Sequence, residues 1–136
     1  MPPKLMPGRE AKRHLDEARD NYLRYNRLLS TPEDAGWAAV LLFYTALHLV
    51  QAHAIAKCKA DTRIKLPEKH LERNSYVANH CRNIDFDYSK LQDFSVSVRY
   101  LLYKPDANEI IKYHNEHFIP IRDYFTSIGF GWHSAL

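Results

Sequence analysis

The most apolar stretch of the chain runs from Trp37 to Lys57, and it is apolar on almost every face of a helix. A helix of that kind is buried in the middle of a protein. One polar strip interrupts it, formed by residues three or four apart that share a face: Tyr44, Thr45, His48 and Gln51. The preceding residues 31–34 (Thr-Pro-Glu-Asp) predict a capping box with proline in the first helical position.

An apolar run of about 20 residues is also long enough to cross a bilayer. Four polar side chains fall inside this one, among them His48 and His53, and histidines are costly to bury in lipid. No second apolar run is present to pair with them. We therefore expect a core helix and no membrane span.

The segments on either side predict four further helices. Residues 10–29 carry a stripe with spacings of 4, 3, 4, 3 and 4: Ala11, Leu15, Ala18, Tyr22, Tyr25 and Leu29. Residues 68–81 form a less periodic helix, whose apolar positions are Leu71, Val77, Ala78 and Cys81. Residues 83–87 predict a polar linker with Ile84 and Phe86 tucked in.

The fourth predicted helix, residues 88–103, has an inward stripe and a polar stripe. The inward stripe is Tyr88, Leu91, Phe94, Val98 and Leu101, and the polar one is Gln92, Ser95, Arg99 and Tyr103. Pro105 should end this helix, since proline disfavours helix in the residue before it.

The last helix should open on an Asp106–Glu109 capping box and end near residue 128 at Gly129. Its inward positions are Ile111, His114, Phe118, Ile121, Phe125 and Ile128. Pro120 should kink it near Glu116. The prediction is a single all-α domain over residues 1–136, an up-and-down bundle of about five helices with loose ends at 1–8 and 130–136.

Composition adds little about function. The 136 residues carry a net charge of +3, with basic zones at residues 1–30 and 57–73 that are weakly suggestive of a polyanion surface. The start of the chain lacks the apolar core of a signal peptide, so we expect a cytoplasmic protein with Cys58 and Cys81 reduced. No glycine-rich phosphate loop, CxxC pair or GxSxG elbow is present, and no cofactor is expected.

Two candidate groups contain arginine. Arg99 and Tyr103 lie one turn apart, and an arginine beside an aromatic hydroxyl suits a phosphate. An ion pair of Arg99 with Asp93 or Glu109 would explain the presence of this arginine equally well. His70 and Arg73, at i and i+3, would face the same way inside a basic zone, for which a solvated basic face is the favoured explanation.

Two further candidate groups contain histidine. His48, beside Tyr44, is either a catalytic group or, more simply, a core histidine bonded to a tyrosine or a carbonyl. His114 and His117, with Glu116 between them, would share a metal only if a second helix gave further ligands. We therefore predict no metal site and expect His114 to make a buried polar contact.

The sequence resembles the HEPN family (higher eukaryote and prokaryote nucleotide-binding), which consists of small prokaryotic helical domains. The likeness lies in residues 43–48 (FYTALH) and 95–100 (SVSVRY) and extends over about residues 10–128. It implies a helical bundle that dimerises and, in active members, a metal-independent ribonuclease. Those members use an arginine and a histidine separated by four to six residues. Arg99 matches the arginine, while positions 104–106 hold Lys104, a proline and an aspartate, so the histidine is missing.

Three functions follow as alternatives. The preferred one is a dimeric module that binds RNA or a nucleotide without cleavage, in a cleft lined by Arg99, Tyr103, His70 and Arg73, with Tyr44 and Lys104 as further ligand-binding candidates. The candidate catalytic residues are Arg99, Tyr103 and His48. The second is a toxin-like ribonuclease in which Arg99 holds the phosphate and a histidine from elsewhere acts as base. The third is a structural partner of a nucleotidyltransferase or of an antitoxin.

Overall fold

The computed structural model describes residues 5–132, and within them every regular element is helical, which confirms the predicted all-α bundle. The six α-helices are α1 (Arg9–Leu29), α2 (Ala35–Ala60), α3 (His70–His80), α4 (Asp85–Tyr100), α5 (Ala107–Tyr113) and α6 (Ile119–Ser127). Two 3₁₀ turns, Pro32–Asp34 and Arg82–Ile84, precede α2 and α4, and the π-helical turn His114–Phe118 joins α5 to α6.

Helix α2 is the buried centre of the bundle, as predicted. The segment Pro32–Ala60 is long and apolar enough to cross a membrane, but 83% of its most apolar 18 residues is buried inside the fold. Those apolar side chains are therefore covered by the other helices. Trp37 is the exception to the predicted buried face: its side chain is 57% exposed, because it lies in the first turn of α2 at the end of the bundle.

Helix α1 packs along α2 in the most extensive helix pair of the fold. The predicted stripe is confirmed, with Ala11, Leu15, Ala18 and Tyr25 buried. Alanines at this seam let two helix backbones approach closely.

The capping box predicted for residues 31–34, between α1 and α2, is wrong in part. Pro32 does open the helical segment, but the hydroxyl of Thr31 bonds back to the carbonyl of Arg27 at 3.5 Å and caps nothing.

Three apolar side chains expected inside are exposed instead: Leu71 (81%), Phe86 (65%) and Leu101 (70%). Leu71 lies in the first turn of α3, five residues before the buried Tyr76 and so on another face. Phe86 is not in a linker, because α4 begins at Asp85. Leu101 follows the end of α4, which is three residues earlier than predicted, so the inward stripe does not reach it.

The continuous helical segment from α5 to α6 begins as predicted. The carboxylate of Asp106 accepts a hydrogen bond from the backbone N–H of Glu109 at 2.8 Å. The predicted register is one residue off at its start, because Ile110 is buried and Ile111 is exposed. The backbone disturbance expected from Pro120 takes the form of the π turn directly before it, where the N–H of residue 119 bonds to the carbonyl of His114.

Gly129 ends α6 as predicted. Its φ of 87° is a left-handed conformation that favours glycine. The N–H groups of Gly129 and Phe130 bond to the carbonyls of Thr126 and Phe125, which is a Schellman motif. The C-terminal end predicted to be loose is packed over its described part, since Phe130 and Trp132 are buried. Residues 1–4 and 133–136 lie outside the described residues.

Candidate functional site

A pocket of about 580 Å³ opens between the start of α2 and the end of α4. We call it the Trp37 pocket, and its lining includes Glu33, Trp37, Arg99, Leu102, Tyr103 and Lys104. Pockets that hold small ligands measure about 300–1,000 Å³, so its volume suits a ligand of nucleotide size. Three of the predicted site residues (Arg99, Tyr103 and Lys104) therefore line one cavity.

The chain reverses sharply at the end of α4, which brings the last two of these residues into the pocket. Leu102 has a φ of 57°, a left-handed conformation that costs a leucine about 1–2 kcal/mol. After this turn the N–H of Tyr103 bonds to the carbonyl of Ser97 at 3.1 Å, and Pro105 is buried. Tyr103 is thus in the loop after α4, and the prediction that it continues the helical stripe of Arg99 is wrong.

Arg99 carries a positive charge and forms no ion pair with a described carboxylate. Its Nη1 donates a hydrogen bond to the hydroxyl of Tyr44 at 2.8 Å, and its guanidinium lies 4.8 Å from the ring centroid of Tyr100. Among the described residues no carboxylate forms an ion pair with it. The pairing with Asp93 or Glu109 that the sequence allowed is therefore absent, and the guanidinium keeps donors free for an anion.

Glu109 is engaged by Tyr103. The hydroxyl of Tyr103 donates a short hydrogen bond to Oε2 of Glu109. That hydrogen bond raises the pKa of the Tyr103 hydroxyl, so this side chain stays protonated and can donate but cannot act as a base near neutral pH. In the Trp37 pocket Tyr103 therefore offers a ring face and a fixed hydroxyl.

A second predicted site residue, His48, pairs with a histidine that sequence reasoning missed. The Nδ1 atoms of His14 and His48 lie 2.9 Å apart, and the two rings stack with centroids 5.1 Å apart. The expected tyrosine or carbonyl partner is thus replaced by a ring from α1. The signal was available: His14 lies three residues after Ala11 and four before Ala18, at the edge of the buried stripe.

The two histidines are neutral at pH 7. Partial burial lowers the pKa of His14 and of His48, and the positive charge of Arg73 lowers both further. Glu17 opposes this effect at both rings. Because a hydrogen bond between two imidazoles needs one donor and one acceptor, the pair holds one shared proton between its Nδ1 atoms while both rings are neutral.

His70 and Arg73 lie on the same side of the bundle as this pair. The ring of His70 is 6.4 Å from that of Tyr44, and both Arg73 and Arg99 lower the pKa of His70 after the larger effect of burial. Arg73 donates from Nη1 to the carbonyl of Glu68 at 3.2 Å. We call the resulting group the basic cluster: His14, Tyr44, His48, His70, Arg73 and Arg99.

The structure thus brings together all seven predicted site residues in two adjoining groups that share Arg99. Tyr103 and Lys104 line the Trp37 pocket, while Tyr44, His48, His70 and Arg73 belong to the basic cluster. Helices α1, α2, α3 and α4 each contribute to the basic cluster. Sequence reasoning missed His14 and the exposed ring of Trp37.

The two histidines of the π-helical turn between α5 and α6, His114 and His117, have separate hydrogen-bond partners. Nε2 of His114 lies 2.8 Å from the hydroxyl of Tyr22, which confirms the expected polar contact, although His114 is only partly buried. His117 bonds through Nδ1 to Asp87 at 2.9 Å. Within residues 5–132 no group of three or more histidine, cysteine, aspartate or glutamate side chains is placed to hold a metal ion.

The fold and these two groups define an all-α helical domain with a basic, aromatic-lined surface. No protein-family model matches the chain, and comparison with curated proteins and with solved structures gives no significant match.

Proposed function

We propose that this protein binds RNA or a nucleotide through the Trp37 pocket, with Arg99 holding a phosphate. The observation that carries the proposal is the environment of Arg99. Its guanidinium is hydrogen-bonded to the hydroxyl of Tyr44, lies over the ring of Tyr100 and forms no ion pair with a described carboxylate. An arginine oriented in this way presents a fork of donors that matches the geometry of a phosphate.

The exposed ring of Trp37 in the same pocket supports a ligand that carries a base. Bases of single-stranded RNA stack on aromatic side chains, and each such stack contributes about 1–3 kcal/mol. Tyr103 adds a second ring and Lys104 a second positive charge. Glu33 also lines the pocket, and as an acceptor it suits the amino groups of a base.

The resemblance to the HEPN family agrees with this proposal and extends it. On that resemblance the protein is a cytoplasmic, prokaryotic homodimer that acts beside a nucleotidyltransferase or an antitoxin partner. Binding without cleavage is preferred, since the position of the family's histidine is taken by other residues and Tyr103 is held protonated by Glu109.

A metal-independent ribonuclease is the second candidate. One observation favours it: His70 is exposed and lies within the electrostatic influence of Arg99, so a histidine stands near the proposed phosphate. A histidine that is neutral at pH 7 is suited to accept the proton of a 2′-hydroxyl.

Fluorescence anisotropy of a labelled single-stranded RNA tests the proposal and separates the two candidates. We expect Arg99→Gln to weaken binding by roughly 10-fold and Trp37→Ala by roughly 5- to 150-fold, because the first removes a phosphate interaction and the second removes a base stack. Arg27→Gln is the matched control, because it removes the same charge from an exposed site on α1 that belongs to neither group.

Gel analysis of the same RNA after incubation reports cleavage. Intact RNA that is retained by the wild-type protein supports binding, whereas cleavage that is abolished in His70→Gln supports the ribonuclease. Equal anisotropy curves for wild type, Arg99→Gln and Trp37→Ala would contradict both candidates.

A further inference from the structure

The environment of Arg73 is unusual for an arginine in a folded protein. Its side chain is partly buried, and no described carboxylate forms an ion pair with it. Its Nε and the hydroxyl of Tyr88 are both fully buried. The two side chains face each other, since after the larger effect of burial the charge of Arg73 and a hydrogen bond with it act on the pKa of Tyr88, so a neutral hydroxyl is the neighbour of this guanidinium where an acid would be expected. A partly buried cation that lacks an acid favours the binding of an anion, because its charge is incompletely compensated by water.

The neighbours of Arg73 increase this excess of positive charge. His14, His48 and His70 all have a lowered pKa, to which Arg73 contributes after the larger effect of burial. Arg99 also acts on His70. Binding of an anion would cancel this repulsion and let the histidines take up protons.

We propose that Arg73, His70 and the His14–His48 pair form a second anion-binding subsite, which takes a second phosphate of the ligand and takes up protons as it binds. The identity of that ligand rests on the proposed function, since the first phosphate is the one held by Arg99. The subsite makes the ligand an RNA chain or a nucleotide with at least two separated phosphate groups, rather than a nucleoside monophosphate.

Proton uptake at the pair depends on the charges that face it from each helix. On α1, Glu10 and Glu17 favour protonation of His14, and Glu17 also favours protonation of His48. On α3, Arg73 opposes protonation of both rings, and at His48 the opposition from His14 is larger than that from Arg73. An anion bound to Arg73 removes the opposition from Arg73 while the glutamates remain, so binding and protonation support each other.

Inorganic sulfate is the probe that tests the subsite, because its charge is constant between pH 5 and pH 8. The full chain is titrated with sulfate at constant ionic strength, with chloride as the compensating salt. The NMR signals of the histidine ring protons report binding. We expect saturable shifts at His14, His48 and His70, with an affinity that rises about 3- to 10-fold for each unit by which the pH falls between 7 and 6.

Two variants make the test specific. Arg73→Gln should weaken sulfate binding at least 10-fold, and Arg73→Lys should retain part of it. If Arg73→Gln does not fold, His70→Gln replaces it, because His70 is exposed and its removal should weaken binding and flatten the pH dependence. Trp37→Ala is the control, and it should lower RNA affinity but leave the sulfate response unchanged.

The outcomes separate this subsite from the proposed function. Histidine shifts that are absent, or that are the same in Arg73→Gln and His70→Gln as in the wild type, overturn the subsite even if Arg99 proves essential for RNA binding. Specific sulfate shifts combined with no effect of Arg99→Gln on RNA support the subsite as an anion site and overturn the proposed function alone.

Discussion

A buried histidine in the core should make this protein sensitive to mild acid. His53 is 6% exposed, and its Nδ1 lies 2.7 Å from the hydroxyl of Tyr76. Burial lowers the pKa of His53 from 6.5 to about 4, and the positive charges of Lys57 and His80 add to the effect. In the unfolded chain the same imidazole is exposed to water and becomes protonated at a higher pH.

The sign of the effect follows from proton binding. Between pH 6.5 and pH 4 the unfolded state binds the proton at His53 and the folded state does not, so the free energy of unfolding falls as the pH falls. At one pKa unit per 1.36 kcal/mol, the loss relative to pH 8 is about 2 kcal/mol at pH 5 and about 3 kcal/mol at pH 4. Well above pH 6.5 this contribution is complete and constant.

Urea unfolding of the wild type and of His53→Gln at several pH values isolates this contribution. The lowered pKa values of His14, His48 and His70 are present in both proteins, so their contributions cancel in the difference. The variant should be less stable at pH 7 because Tyr76 loses its imidazole partner, but its stability should fall by about 3 kcal/mol less between pH 8 and pH 4. Parallel pH profiles for the two proteins would refute the assignment of a low pKa to His53.

Three shorter predictions follow. Tyr44→Phe removes the hydroxyl that holds Arg99 and should weaken RNA binding several-fold with less than about 1 kcal/mol of change in stability, and unaltered RNA affinity would contradict this. Asp106→Ala removes a helix N-cap and should lower the free energy of unfolding by about 1 kcal/mol in urea titrations, so an unchanged value would mean that the cap is dispensable. Burial raises the pKa of Cys81 to about 12, so a thiol reagent should label Cys58 alone in the folded protein and both cysteines in denaturant. Rapid labelling of both native thiols would contradict the burial of Cys81.

The centre of the fold could be predicted because its pattern leaves little choice. A segment that is apolar on every face must be covered on every face, which identifies α2 as the core helix. The stripe of α1 and the Gly129 terminator are equally direct signals. The ends of the helices were harder to predict. Whether Leu101 is exposed depends on the residue at which α4 ends, and that end is set by the left-handed turn at Leu102.

The residues of the candidate site could be predicted where they lie on polar strips of adjacent helices. The strip of α2 and that of α4 led to Tyr44 and Arg99, whose side chains are hydrogen-bonded in the structure. The spacing of His14 from Ala11 and Ala18 places it at the edge of the buried stripe, but it does not identify His48 as the partner, because that residue lies 34 positions away. Trp37 was assigned to the core because hydrophobicity alone does not distinguish a buried ring from one that lines a pocket at the end of a helix.

The salt dependence of RNA binding is the most direct test of the claim that Arg99 holds a phosphate. Anisotropy titrations of one single-stranded RNA between 50 and 200 mM salt, with wild type, Arg99→Gln and the control Arg27→Gln, give the slope of log affinity against log salt concentration. We predict that Arg99→Gln lowers the RNA affinity by roughly 10-fold and reduces the magnitude of the slope by about 0.7, which is the value for one fewer neutralised phosphate on a single strand. Arg27→Gln should change the affinity and the slope by less. A slope and an affinity for Arg99→Gln equal to those of the wild type would contradict the claim that Arg99 holds a phosphate.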